Sequence, residues 1–296
     1  MKKILLVGLI VVLLVVIGLF VLPSFYLSST RQFEEQSIEG QGFQLHGYLS
    51  EGTGPDGKWV ILVHGNRSEG QEHELYQNIR AILPPEYSVF AVDLRGFGGS
   101  VGNGENQLPE TIDRGADLAV VSNFLYENYG IQEDQTVLIG HSFGAAQVIS
   151  AAQDQDYLLV IPIGLGDWDA LLDSDSEIDG YIEKFYANTG IRVDRSVLIE
   201  DAGKFTTESF SRGCPESPVW FVFASQDDAI PAHWEAYKSL SEACPGLYNW
   251  SEIPLSDHMY GTEMSKLPGP LRGIYSRLSL SLLKYRLDRI LNSVGS

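Results

Sequence analysis

The sequence predicts an α/β protein with a mostly parallel central sheet flanked by helices. Short apolar runs recur at Trp59–Val63, Tyr87–Val92, Thr136–Ile139, Leu158–Ile163, Val219–Ala224 and Tyr248–Ile253. The Val, Ile, Leu and Phe richness of all but Tyr248–Ile253 suits strands covered on both faces, as parallel strands must be. Longer segments of helical character alternate with them, around Glu72–Ile82, Pro109–Tyr129, Ala145–Gln153 and His233–Ala243. Strand and helix in alternation imply crossover helices on both sides of one sheet.

At the start of the chain, Lys2 and Lys3 precede an apolar run from Ile4 to Leu22, closed by Pro23. Its length approaches the ~20 residues that cross a hydrocarbon core. No Ala-x-Ala-like site follows, so residues 1–23 read as an uncleaved N-terminal transmembrane anchor, with a cleaved signal and secretion as the alternative. Lysines held on the cytoplasmic side would put residues 24–296 outside the cytoplasm. From Glu34 to Leu49 apolar and polar positions alternate (Phe43, Leu45, Gly47, Leu49 against Gln44, His46, Tyr48), the pattern of an antiparallel hairpin with one wet face.

The rhythm breaks between Gly164 and Arg212, a stretch too long for an ordinary connection. It opens with Asp167, Asp169, Asp173 and Asp175, and its centre, Tyr181–Ala187, has helical character. Residues 163–213 therefore read as a cap or lid inserted over the carboxyl ends of the strands. A disordered acidic loop is the alternative, and Trp168, Tyr181, Phe185 and Tyr186 weigh against it. Between Pro270 and Asn292, Leu271, Ile274, Leu278, Leu282 and Leu287 recur at helical spacing. That segment suits the closing helix of the sheet, or alternatively a basic amphipathic contact with a membrane.

Composition narrows the functional classes. A chain of 296 residues with 44% hydrophobic content can bury a sizeable core. A formal charge of −19 argues against nucleic acid as a partner, since phosphate binding needs clustered Lys and Arg. Two cysteines, Cys214 and Cys244, are too few for a disulfide-built scaffold or a tetrahedral metal site.

The chemistry centres on Gly140-His141-Ser142-Phe143-Gly144. A lone G-x-S-x-G is weak, but here a short strand runs straight into it and Ala145, Ala146 and Gln147 open a helix after it. Such an elbow holds the Ser hydroxyl exposed at a helix N-terminus, where the dipole favours negative charge. A nucleophilic Ser needs a base, and the base needs an orienting acid. Two later strands each lead into a suitable loop: Val219–Ala224 into Ser225-Gln226-Asp227-Asp228, and Tyr248–Ile253 into Pro254-Leu255-Ser256-Asp257-His258. His258 is the expected base and Asp227 the preferred acid, with neighbouring Asp228 and the earlier Asp167 as alternatives. An oxyanion hole of two backbone N–H groups is also required. Phe143, immediately after the Ser, and Asn66, in the loop Val63-His64-Gly65-Asn66-Arg67, are the candidate donors, with His64 bracing that loop.

Together these residues resemble the α/β-hydrolase superfamily. The resemblance rests on His64-Gly65-Asn66, on Asp93-Leu94-Arg95-Gly96-Phe97-Gly98-Gly99-Ser100, on the Ser142 elbow, on Asp227 before Ile230-Pro231, and on His258. With an N-terminal anchor it is most similar to the membrane-anchored Bem46-like group. It implies an α/β-hydrolase fold and a serine hydrolase cleaving a carboxylic ester or related acyl bond. The expected partners are a small-molecule or lipid-like acyl substrate and, through the N-terminal helix, a membrane. No metal or organic cofactor is implied. Ser rather than Asp at the elbow argues against dehalogenase or epoxide hydrolase chemistry. A serine peptidase or acyltransferase with the same triad, and a membrane-anchored binding protein without turnover, are the competing readings. Cys214 and Cys244 each precede a late strand, so if those strands are neighbours both lie at one edge of the sheet. Outside the cytoplasm a disulfide between them is permitted, with two separate thiols as the alternative.

Overall fold

The computed structural model describes residues 31–40, 42–54, 57–100, 112–206, 208–209, 216–227, 245–263 and 268–294. The eight strands among them are β1 (Glu34–Glu39), β2 (Gln44–Ser50), β3 (Trp59–Val63), β4 (Ser88–Asp93), β5 (Thr136–His141), β6 (Leu159–Ile163), β7 (Val219–Ala224) and β8 (Tyr248–Ile253). They form a single sheet in the order β1-β2-β4-β3-β5-β6-β7-β8. The β1–β2 and β2–β4 pairs are antiparallel, and every pairing from β4 through β3 to β8 is parallel. The alternating N-terminal segment is thus the predicted hairpin, except that Tyr48, on the face expected to be wet, packs into the core, and the remaining apolar runs are the parallel strands.

Side chains leave each strand on alternate faces, which fixes two core layers. Ile61, Val63, Phe90, Val92 and Leu138 pack on one face. There they meet helix α2 (Gly115–Tyr129) through Leu118, Val121 and Leu125, and helix α3 (Phe143–Asp154) through Ala145, Ala146 and Val148. Val60, Leu62, Val89, Ala91 and Ile139 pack on the other face. Their partners are helix α1 (Glu74–Ile82), through Leu75 and Ile79, and the C-terminal helix, through Leu283, Leu287 and Ile290.

Between β6 and β7 the long acidic stretch folds into α4 (Trp168–Leu172), α5 (Asp175–Thr189) and α6 (Arg195–Gly203). The sequence pointed only to the centre of α5. Its acidic residues mark helix starts instead of a loop. Asp167 caps α4 by accepting from Ala170 N, and Ser174 caps α5 by accepting from Glu177 N. Asp175 and Glu177 then fall in the first turn of α5, where the positive end of the helix dipole stabilises them.

The C-terminal helix α7 (Gly269–Ser293) closes the sheet as expected, and Tyr87 Oη donates to Leu291 O at 2.9 Å. Among the described residues no helix is long and apolar enough to cross a membrane. The apolar run Ile4–Leu22, both cysteines, Asp228 and the expected helix His233–Ala243 lie outside the described residues.

Candidate active site

β5 ends at His141 and α3 begins at Phe143, so Ser142 alone makes the turn between them. It does so at φ 55° and ψ −115°, a strained conformation for a residue with a Cβ. The flanking glycines are required by contact. A Cβ on Gly140 would lie 2.1 Å from Gly144 O, and one on Gly144 would lie 2.4 Å from His64 O and 2.7 Å from Val63 O. Strand, elbow and helix are thereby pressed against the end of β3.

Asp227 and His258 stand in the loops after β7 and β8, on neighbouring parallel strands. Their loops converge on the elbow: His258 Nε2 is 2.9 Å from Ser142 Oγ, and His258 Nδ1 is 2.7 Å from Asp227 Oδ2. The imidazole and carboxylate are only 13% and 9% exposed. With the carboxylate accepting at Nδ1, the ring proton sits there and Nε2 is left to accept from the hydroxyl. Asp167, the alternative acid, has its carboxylate engaged with the start of α4.

No motif marks Gly164, directly after β6. It lies at φ +59°, and a Cβ there would stand 3.3 Å from His258 Cε1 and Nδ1 and 3.6 Å from Asp227 Oδ2. The missing side chain leaves room for the imidazole.

Asn66 and Phe143 line the same cavity as Ser142 and His258. Phe143 is the first residue of α3, so its N–H has no partner within the helix. Asn66 follows β3 in a loop that the wholly buried His64 holds in place. His64 Nδ1 donates to Gly65 O at 2.7 Å, and His64 Nε2 accepts from Leu94 N at 3.0 Å. Burial pushes this imidazole below its usual range, which keeps it in the neutral form that these two bonds require.

Two further groups set the geometry, and no motif announced them. Buried His141, next to the Ser, donates from Nε2 to the backbone O of His258 at 2.8 Å. Its Nδ1 must then accept, and Tyr76 Oη donates to it at 3.1 Å. The backbone of Gly65 also hydrogen-bonds the Tyr76 hydroxyl. Burial, and then the nearby His258, hold His141 far below the normal histidine range, so it stays neutral. The Asn66 loop, the Ser142 elbow and the His258 loop are in this way tied by one chain of hydrogen bonds.

At the mouth, Arg67 grips Glu263 through Nε at 2.8 Å and Nη2 at 2.6 Å, while His73 Nε2 meets Glu263 Oε1 at 2.9 Å. Burial alone would raise the Glu263 carboxyl, but the bonds and charge of Arg67 prevail and hold it below its usual range.

The cavity measures about 980 Å³, and α4 and α5 supply Trp168, Leu171, Tyr181 and Lys184 to its wall. That size lies at the upper end of the range for small-molecule sites.

A model of the alpha/beta hydrolase family matches residues 60–267, a span that holds every residue of this arrangement. No curated protein matches the sequence. Among solved structures, an esterase from Pyrococcus furiosus superposes with a TM-score of 0.58 at 16% identity, covering 86% of this chain and 92% of its own. An acylaminoacyl peptidase from Pyrococcus horikoshii gives 0.62 at 14% identity, covering 88% of this chain but only 42% of its own. Est1E from Butyrivibrio proteoclasticus, solved with ferulic acid bound, gives 0.57 at 17% identity over 88% of this chain and 100% of its own. The family match, on a fold shared with these structures, shows that the chain belongs to the alpha/beta hydrolase family and is a hydrolase.

Proposed function

We propose that the protein is a serine hydrolase that cleaves carboxylic esters through an acyl-enzyme, with Ser142 as nucleophile, His258 as general base and acid, and Asp227 as the orienting acid. The reading rests on one observation: Ser142 Oγ, His258 and Asp227 form a continuous hydrogen-bonded run of 2.9 and 2.7 Å at the wall of the cavity. Ser142 Oγ attacks the acyl carbon while its proton passes to His258 Nε2. The N–H groups of Asn66 and Phe143 receive the oxyanion, where preorganised donors are worth several kcal/mol. Collapse expels the alcohol with the proton from Nε2. Water, activated at the same nitrogen, then releases the acid. Helices α4–α6 act as the cap that shields these steps.

A fluorophosphonate probe tests this reading directly. Wild type is expected to be labelled and Ser142→Ala not; equal labelling of both overturns it. Turnover of p-nitrophenyl esters against aminoacyl-nitroanilides then separates an esterase from a peptidase. Within the family, the motifs resemble the membrane-anchored Bem46-like group, and we infer that Ile4–Leu22 tethers the hydrolase outside the cytoplasm. Release from membranes by alkaline carbonate would refute the tether.

A further inference from the structure

Helix α5 presents three different faces. Ile178 and Phe185 are buried in the core. Asp175 and Asp179 turn toward α6, where both pair with Arg195. Glu177, Tyr181, Lys184 and Asn188 line the cavity that holds Ser142. Spaced four, three and four residues apart, they run along one side of the helix for about 16 Å. None of the four side chains makes a hydrogen bond or ion pair among the described residues. The Tyr181 ring is held in place, stacked on Phe185 at 6.1 Å and 25° and 5.7 Å from Trp168. Burial keeps its hydroxyl protonated, so it can both donate and accept.

The other charges of the wall are already engaged. Arg67 holds Glu263 at 2.6 and 2.8 Å, Asp167 accepts from Ala170 N at 2.9 Å, and Asp257 accepts from Gly261 N at 2.7 Å. Counted with Asp173, Glu177 and Lys184, the described wall carries five carboxylates against two cations. Such a wall repels an anionic occupant. A fatty acyl chain would strip water from the α5 stripe and give it nothing to bond. An ammonium group would meet Lys184 in the middle of the stripe. Along α5 the order is an acceptor at Glu177, both roles at Tyr181, a donor at Lys184 and both roles again at Asn188. Neighbouring hydroxyls on one small molecule, each able to donate and accept, answer that order. Leu171 and the Tyr181 ring add apolar area for the C–H face of such a molecule.

We propose that this face of α5 binds a neutral polyhydroxylated alcohol and that the protein removes acyl groups from sugar esters, with Glu177, Tyr181, Lys184 and Asn188 determining specificity. This names the alcohol side of the esterase proposed above and rests on that reading. The acyl carbonyl lies at Ser142. The sugar oxygen takes the proton from His258 and departs along α5 as the free alcohol, and water then releases the acid.

The test compares acetates on the purified full-length protein: the mono-acetates of methyl glucoside, galactoside and xyloside, with cyclohexylmethyl acetate and acetylcholine as the apolar and cationic counterparts. At least one sugar acetate is expected to exceed cyclohexylmethyl acetate about tenfold in kcat/KM. Glu177→Gln, Tyr181→Phe and Asn188→Ala should each lower that ratio by about threefold or more, mainly through the KM of the sugar acetate. Asp179→Asn, on the side of α5 that faces α6, should leave the ratio as it is. The proposal is overturned if cyclohexylmethyl acetate or acetylcholine matches every sugar acetate, or if the ratio survives the combined loss of the Glu177 and Asn188 side chains. Saturation-transfer NMR of the unacylated methyl glycosides with Ser142→Ala separates the two readings. Glycoside binding that Glu177→Gln weakens, with no acetate turned over by wild type, keeps the binding wall and refutes the esterase. Turnover without a sugar preference does the reverse, and the absence of both binding and turnover overturns both.

Discussion

His141 Nε2 donates to the backbone carbonyl oxygen of His258 across 2.8 Å. The residue before the proposed nucleophile therefore carries the loop of the imidazole that meets its hydroxyl. Tyr76 completes the arrangement by donating to the other ring nitrogen, which fixes the tautomer. A protonated His141 would turn that acceptor into a second donor facing Tyr76.

Stability should therefore depend on acidity in a defined direction. His141 and His64 are both held below 6.5, with burial the main cause. In the unfolded chain they take up protons near pH 6.5, so below that pH the folded state binds fewer protons and stability falls as pH falls. Each such site contributes a slope of up to about 1.4 kcal/mol per pH unit. Denaturant unfolding between pH 7.5 and 5.5 should show the loss, and His141→Gln should reduce the slope by roughly one site. Identical slopes would mean that His141 is protonated in the fold.

Ser142 pays for its position with backbone strain at φ 55°. Replacement by Gly, which tolerates positive φ, should raise the unfolding free energy by about 1 kcal/mol. Fluorophosphonate labelling should vanish in the same variant. Ser142→Ala loses labelling too but keeps the Cβ, so it should gain less stability than the Gly variant. Equal stability of the two would remove strain from the account.

At Gly164 the two effects of an added methyl can be told apart. A backbone at φ +59° costs an Ala about 1–2 kcal/mol. The Cβ would also press on the His258 ring from 3.3 Å. Gly164→Ala is thus expected to lower kcat at least tenfold, with little change in KM, beyond any loss of stability. Wild-type kcat in a destabilised variant would show that the ring has room to spare.

The Arg67–Glu263 pair is partly exposed, so its removal should cost less than about 1 kcal/mol of stability. Its effect on rate should be larger, because Arg67 adjoins Asn66, a proposed oxyanion donor. Glu263→Gln is expected to reduce kcat several-fold on short esters while KM stays near its original value. A change confined to KM would assign the pair to substrate binding at the mouth.

The legible parts of this site were those carried by short stretches of chain. The elbow could be read because strand, Ser142 and helix are contiguous, and because Gly140 and Gly144 must lack side chains. Asp227 could be read because it follows the plain apolar run of β7, and His258 because it is the histidine in the loop after the last strand, β8. Tyr76 and His141 could not, since their roles arise only when α1, the elbow and the His258 loop meet in space. Gly164 was illegible for the same reason: its neighbour, the His258 ring, comes from far along the chain. The cap was underread because its short helices carry no strong apolar stripe, and their acidic caps resemble loop sequence.

β3 and β5 are aligned so that Val63 lies opposite Gly140. Counting forward from that rung, Asn66 and Phe143 each fall three residues on. The two proposed oxyanion donors are therefore measured off from one shared mark. A slip of one residue between these strands would displace one donor against the other by about 3.3 Å, more than the length of a hydrogen bond. The same slip would exchange Leu138 with Val137 and Ile139 between the two cores, so the spacing of the donors and the packing of the sheet are set by one alignment.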